Sequence, residues 1–309
     1  MRLFLTGASG WLGSATVSEL LGAGHHVVGL ARSDASAAAL TAAGAEAVRG
    51  SVDDLDVLRD AAAASDGVIH LAFKHDIAFS GDFQGAAEAD RRAVDTFGDA
   101  LAGTDRPLVI ASGVLGVRPG QVVTERDVPA LDGSATSVRQ ATAQAALALA
   151  SRGVRSCVVR LSPTCHGDGD NGFMAALVAT ARAKGVSGYL GDGATRWPAV
   201  HRLDAGRLFR LAAEKAPAGS VLHGVAEEGV ALRDVAEVIG RQLDVPVTSV
   251  APEDAAGHFT WLTPMLGLDS PASNALTREL LDWQPTQPGL LEDLGKGHYF
   301  DVPATPATS

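Results

Sequence analysis

Over its first 165 residues the chain alternates short apolar runs with longer segments rich in Ala and Leu. Short apolar runs closed by turn residues predict strands, and the longer segments between them predict helices. Their alternation predicts βαβ units and a parallel sheet. Strands are expected at 2–6, 26–31, 46–48, 67–72, 107–111 and 156–161, with helices near 11–22, 34–43, 53–63, 83–102 and 134–152. The strands are nearly continuous Val, Ile, Leu and Ala, the pattern of strands covered on both faces in a doubly wound sheet. Gly22 and Gly24 stop the first helix, as glycine past a helix end does. The fold class is therefore α/β, a doubly wound parallel sheet of Rossmann type followed by a smaller C-terminal region.

Beyond residue 165 the pattern weakens. Segments 166–170 and 185–201 are rich in Gly and aromatic residues and read as loops, while 203–214 and 231–243 read as helices with a strand at 221–225 between them. A Rossmann domain is expected over 1–165, with 199–225 returning to it, and a substrate-binding region over 166–198 and 226–309. The tail 302–309, rich in Pro, Thr and Ala, has little to bury and is expected to be mobile.

Composition adds exclusions more than assignments. The 25 Lys and Arg against 36 Asp and Glu give a net charge of −11, which argues against a sequence-independent grip on nucleic acid. Cys157 and Cys165 form no metal-type pair and read as buried, reduced thiols. No uninterrupted apolar run reaches the roughly 20 residues a membrane helix needs, and no secretion signal is evident, so the expectation is a cytoplasmic protein.

The strongest chemical signal is Thr6-Gly7-Ala8-Ser9-Gly10-Trp11-Leu12-Gly13, which follows the first strand and opens the first helix. Glycine permits the tight turn and lets backbone N–H groups approach a diphosphate, whose charge the helix N-terminus stabilises. Ser9, Trp11 and Leu12 belong to the same turn. Nineteen residues after Gly13 stands Arg32, followed by Ser33, where an Arg accepts a 2′-phosphate and an acid would hold a 2′-hydroxyl. NADP is thereby favoured over NAD, with Asp34 near enough to reach a ribose instead.

This spacing of glycines resembles that of the extended and atypical branches of the short-chain dehydrogenase/reductase superfamily, whose members include NAD-dependent epimerases and dehydratases. His70-Leu71-Ala72, Ala111-Ser112-Gly113, Arg160-Leu161-Ser162-Pro163 and Val200-His201-Arg202-Leu203-Asp204 follow in the order that superfamily has them. The resemblance implies that Ser51 and Val52 line the adenine pocket, and that Leu71, Ala72 and Phe73 pass beneath the middle of the cofactor. It also implies that Ser112, Gln140, Pro163, Thr164 and His166 face its nicotinamide end. Relatives often dimerise through the helices beside the central strands, so a homodimer is expected.

Most members use a Tyr-x-x-x-Lys pair on the helix after the fifth strand, yet the two tyrosines here, Tyr189 and Tyr299, are not followed by Lys four residues on. An ungapped count places Thr136 at the Tyr position and Gln140 at the Lys position. Neither ionises near neutral pH, so Thr136 orients better than it protonates, and Ser112 offers one further hydroxyl. His166, leaving the sixth strand, is the first candidate for proton transfer, with a structural role for it left open. Tyr189 is the alternative donor, in an aromatic and Arg-rich loop. The expected activity is NADPH-dependent reduction of a small carbonyl or imine. An iminium arrives with its proton, whereas a ketone develops alkoxide charge and needs a donor. The alternatives are a sugar-nucleotide epimerase or dehydratase, and a non-catalytic NADP-binding sensor.

Overall fold

The computed structural model describes residues 1–131, 133 and 135–301; the tail 302–309 and the side chains of Phe79, Ala135 and Thr136 lie outside the described set. The first half runs β1 (Arg2–Thr6), α1 (Trp11–Gly22), β2 (His26–Ala31), α2 (Asp34–Ala42), β3 (Glu46–Arg49), α3 (Leu55–Ala63), β4 (Gly67–His70), α4 (His75–Phe79), α5 (Phe83–Leu101), β5 (Pro107–Gly113), α6 (Ala135–Ala148) and β6 (Arg155–Leu161). The second half adds β7 (Thr164–His166), α7 (Phe173–Lys184), β8 (Ser187–Leu190), β9 (Arg196–His201), α8 (Arg202–Lys215), β10 (Ser220–Gly224) and β11 (Glu227–Ala231). It closes with α9 (Leu232–Leu243), β12 (Val247–Val250), α10 (Ala255–Phe259), α11 (Thr263–Leu266), α12 (Ala275–Leu281) and α13 (Leu290–Gly295).

Seven strands form one parallel sheet in the order β10-β6-β5-β4-β1-β2-β3, doubly wound about β1 and β4. Leu3, Phe4 and Leu5 of β1 are all fully buried, because consecutive side chains point to opposite faces and both faces are covered. Leu3 and Leu5 pack in the core beneath α1 and α8, whereas Phe4 packs with Val94 and Phe97 of α5 and Ala143 of α6. The helices α1 and α8 approach so closely that a Cβ on Gly206 would lie 3.0 Å from the Ala15 backbone.

After β6 the chain leaves this sheet. β7 and β9 pair in parallel and β11 joins antiparallel, while β8 and β12 form a separate parallel pair. Around them Met174, Trp197, Val235, Ile239, Phe259 and Leu294 make a second core. The chain returns to the main sheet through α8 and β10, and again at Leu281 and Trp283, which pack in the core of the main sheet.

The loop expected over 185–201 is corrected: it holds β8 and β9. Their partners β12 and β11 come later in the chain, and Gly188, Gly191 and Gly193 interrupt the local alternation that marks a strand. Gly188 is required there, since a Cβ would sit 2.5 Å from His258 Nε2. The strand expected to reach residue 72 ends at His70, where Leu71 and Ala72 turn beneath Gly7. Among the described residues no helix is long and apolar enough to cross a membrane.

Candidate functional site

The carboxyl ends of β1, β4, β5 and β6 stand side by side, in register through Thr6 with His70 and Gly113 with Leu161. Ligands of open α/β sheets bind at this edge. From β1 the chain turns at Gly7, whose φ of +68° is left-handed and whose added Cβ would meet Ala72 N at 2.8 Å. Both constraints demand glycine. The Gly10 N–H donates to Gly7 O at 3.0 Å and closes the turn. Gly13 lies one helical turn further, where a Cβ would fall 1.9 Å from Gly7 O, so α1 is seated directly on the turn.

No side chain among the described residues caps α1, and Ser9 and Gly10 are exposed. The first amides of a helix with no internal partner, beside the positive end of its dipole, make an anion site. The turn therefore fits the diphosphate of a dinucleotide. Its shape is held from behind by a buried chain of donors. The Ala72 N–H donates to Thr6 Oγ1 (3.2 Å), the Thr6 hydroxyl donates to His70 Nδ1 (2.6 Å), and His70 Nε2–H donates to Asp90 Oδ1 (3.0 Å). The Trp11 ring turns toward the smaller region, with the Arg202 guanidinium 4.0 Å above it. Arg202 also donates to Ser14 Oγ at 2.7 Å, which makes it a cation at the first turn of α1 that sequence reading did not single out.

At the end of β2, Arg32 is exposed and has no ion pair among the described residues. Ser33 caps α2 through a reciprocal pair with Ser36. Asp34 is fully exposed and pairs with Arg49 at 3.1 Å. Ser51 is held by Asp54, whose Oδ2 accepts from the Ser51 N–H (2.7 Å) and hydroxyl (2.9 Å), beside buried Val52.

At the carboxyl end of β5, Ser112 is buried and its hydroxyl has no partner among the described residues. Gln140 donates from Nε2 to Gly113 O at 2.8 Å, and its Oε1 is buried and unpartnered. Thr164 Oγ1 and His166 Nε2 are also buried without partners among the described residues, and Pro163 is half-buried. Buried polar groups are ordinarily satisfied, so the Ser112 and Gln140 orphans beside the glycine turn fit a polar ligand laid along this edge.

An ungapped count gives Gln140 the superfamily's Lys position, with Thr136 at the Tyr position. Gln140 stays on β5, and the residue before it, Arg139, reaches the loop after β4, with its guanidinium 4.3 Å over the Phe73 ring. Arg139 Nε is buried and unpartnered, and burial lowers the pKa of the group while Asp90 opposes that shift. Neighbouring helix positions differ by about 100° in direction, so Arg139 and Gln140 point to different faces of α6. Thr136 lies on α6 one turn earlier, with its side chain outside the described set.

His166 and Tyr189 make their contacts elsewhere among the described residues. His166 sits on the face of β7 opposite Cys165, which lies beside Trp11, and its Nδ1 is 2.9 Å from Asp293 Oδ2. Burial pushes the Asp293 pKa up, but the hydrogen bond and charge of His166 outweigh it and hold the carboxyl below its ordinary range. The His201 ring lies edge-on to His166 at 5.3 Å, and Tyr299 donates to Asp170 Oδ2 at 2.9 Å close by. This network ties α13 to the 166–170 loop. Tyr189 lies on β8 against Leu177, Ile239 and His258, with Arg233 5.6 Å from its ring. Burial pushes both the Cys157 and Cys165 thiols up to about 12, so neither is a thiolate at neutral pH.

A model of the NAD dependent epimerase/dehydratase family matches residues 3–223. The chain belongs to that family. Family members are NAD-dependent, and the glycine turn and orphaned polar edge of this chain are where a nicotinamide dinucleotide fits. An uncharacterized protein of Schizosaccharomyces pombe is 44% identical over 308 residues, covering 97% of this chain and 100% of that protein. One from Saccharomyces cerevisiae is 45% identical over 296 residues, covering 95% and 98%. Among solved structures, MoeE5 in complex with UDP-glucose and NAD superposes with a TM-score of 0.76 at 22% identity, covering 96% of this chain and 97% of that one. DesIV, a dTDP-glucose 4,6-dehydratase from Streptomyces venezuelae with NAD bound, gives 0.76 at 21%, covering 96% of each chain. At such identity these two likenesses establish the shared fold.

Proposed function

We propose that this family member is an NADPH-dependent oxidoreductase that reduces a small carbonyl or iminium carbon at the carboxyl edge of β4, β5 and β6. The observation that carries the reading is the uncapped N-terminus of α1 seated on the Gly7 turn, continuous along the strand ends with the orphaned Ser112 and Gln140. NADPH rather than NADH is favoured by Arg32, exposed at the end of β2 without an ion pair among the described residues, while Asp34 is turned to Arg49. A planar guanidinium suits a 2′-phosphate, and a ribose hydroxyl calls for an acceptor.

When bound, the coenzyme supplies the hydride. Amides of Trp11 and Leu12 hold the diphosphate, Ser51 and Val52 border the adenine, and Phe73 walls the groove. The Ser112 hydroxyl donates to the oxygen of a carbonyl substrate, and Gln140 Oε1 accepts a proton-bearing group such as an iminium N–H. No carboxylic acid, imidazole or phenol among the described residues is hydrogen-bonded to Ser112 or Gln140, which favours a substrate that needs no strong acid. The test is NADPH oxidation by purified protein against a panel of imines, ketones and aldehydes, with calorimetry of NADPH and NADH binding. Turnover of none of them, together with no affinity for either coenzyme, refutes the reading.

A second reading is favoured by the family and by MoeE5 and DesIV: rearrangement of a sugar nucleotide, in which the coenzyme is regenerated. Product formed from UDP-glucose or dTDP-glucose without net consumption of NADPH would select it.

A further inference from the structure

We infer that Arg139 is an anchor for an oxyanion, so that the substrate of this site carries a carboxylate or phosphate group beside its reacting centre; the inference rests on the coenzyme reading above. Arg139 leaves the second turn of α6 and lays one face of its guanidinium on Phe73 at 4.3 Å. Phe73 is itself fixed by the His75 ring at 5.0 Å and the Phe83 ring at 5.7 Å. Stacking covers a face and leaves the in-plane N–H edge free, and that edge is the fork that meets two oxygens of one anion.

Among the described residues nothing uses the edge. Arg139 makes no hydrogen bond or ion pair among the described residues, and its Nε is withdrawn from water. Of the acids around it, Asp90 gives Oδ1 to His70 at 3.0 Å and Asp53 is taken by Lys74 at 2.5 Å. Asp76 lies on α4 and acts on His75. His75 cannot balance the guanidinium, because an imidazole is neutral or cationic, and burial and the Arg139 cation together push its pKa down to about 4. A guanidinium drawn from water without an acceptor is unfavourable, and a neutral hydroxyl would not balance its charge. An oxyanion does both. The adjacent orphans, Ser112 Oγ and Gln140 Oε1, then meet the polar atoms of the reacting group while Arg139 holds the anionic one. This side-chain set selects substrates by charge, whereas the diphosphate turn selects the coenzyme.

The experiment is calorimetry on NADPH-loaded protein, titrated in separate arms with oxamate and with inorganic phosphate. Binding in the oxamate arm identifies a carboxylate substrate, and binding in the phosphate arm a phosphorylated one. Arg139→Gln is expected to weaken that binding by at least about tenfold and Arg139→Lys by less, while NADPH affinity changes by less than about threefold. Because it removes an uncompensated charge, Arg139→Gln is also expected to melt no lower than wild type without ligand; a packing arginine would show the opposite. The inference is overturned if neither probe binds, if Arg139→Gln binds the probe as wild type does, or if it loses NADPH affinity instead. NADPH binding without oxyanion binding sinks this inference alone, whereas absence of any coenzyme affinity sinks the coenzyme reading and this inference with it.

Discussion

Gly13→Ala is the smallest change that tests how α1 is seated on the anion turn. The added Cβ would lie 1.9 Å from Gly7 O and 2.8 Å from both the carbonyl carbon and oxygen of Ala8, all of them backbone atoms. No side chain can swing aside, so the helix start must retreat by about 1.5 Å to regain ordinary van der Waals separation. Overpacking of this kind costs about 1–3 kcal/mol, which for a chain of this size lowers Tm by roughly 2–5 °C. The larger effect falls on the ligand. Amides displaced by more than 1 Å from a diphosphate lose the alignment of several charge-assisted hydrogen bonds, so NADPH affinity is expected to fall by at least about a hundredfold. Gly22→Ala is the control, since Gly22 closes the same helix and a Cβ there meets nothing within 4 Å. It should raise Tm slightly by restricting the unfolded chain and leave binding unchanged. Scanning calorimetry and isothermal titration with NADPH read both quantities. Gly13→Ala protein that binds NADPH as wild type does would refute the placement of the diphosphate on α1.

Three further outcomes are expected. Arg32→Glu should weaken NADPH binding by about 10- to 100-fold, the worth of a charge-assisted contact, and leave NADH affinity equal or better; equal loss of both would show that Arg32 does not meet a 2′-phosphate. His223, on β10, has its pKa pushed down to about 4 from 6.5, by burial first and against the pull of Glu125. The unfolded chain therefore takes up this proton alone as pH falls from about 6.5 to about 4, so stability should decline across that window, and urea titrations should find the decline flattened in His223→Leu. His166→Ala should lower Tm through a loss of about 2–4 kcal/mol, because Asp293 is left buried without its partner, whereas Tyr189→Phe should change neither Tm nor turnover appreciably. An unchanged Tm with abolished turnover in His166→Ala would instead make His166 the proton donor.

The doubly wound sheet and the glycine turn were legible because their determinants are local. β1, the turn and α1 occupy residues 2–22 without interruption, so apolar periodicity and glycine spacing carry the anion site without reference to any distant segment. The same holds for Arg32 and Ser33, whose position follows directly from the end of β2. The catalytic end was not legible in this way. That Arg139 crosses to the β4 loop depends on the rotation of α6 after a long connection from β5, which local periodicity does not fix. His166 meets an acid 127 residues away, and β8 pairs with a strand that begins 57 residues after its own last residue, Leu190. Local periodicity encodes which face of an element is buried. Which buried faces meet is decided by packing between segments remote in sequence, and that packing determined which polar groups converge beside the coenzyme turn and which are locked into structure elsewhere.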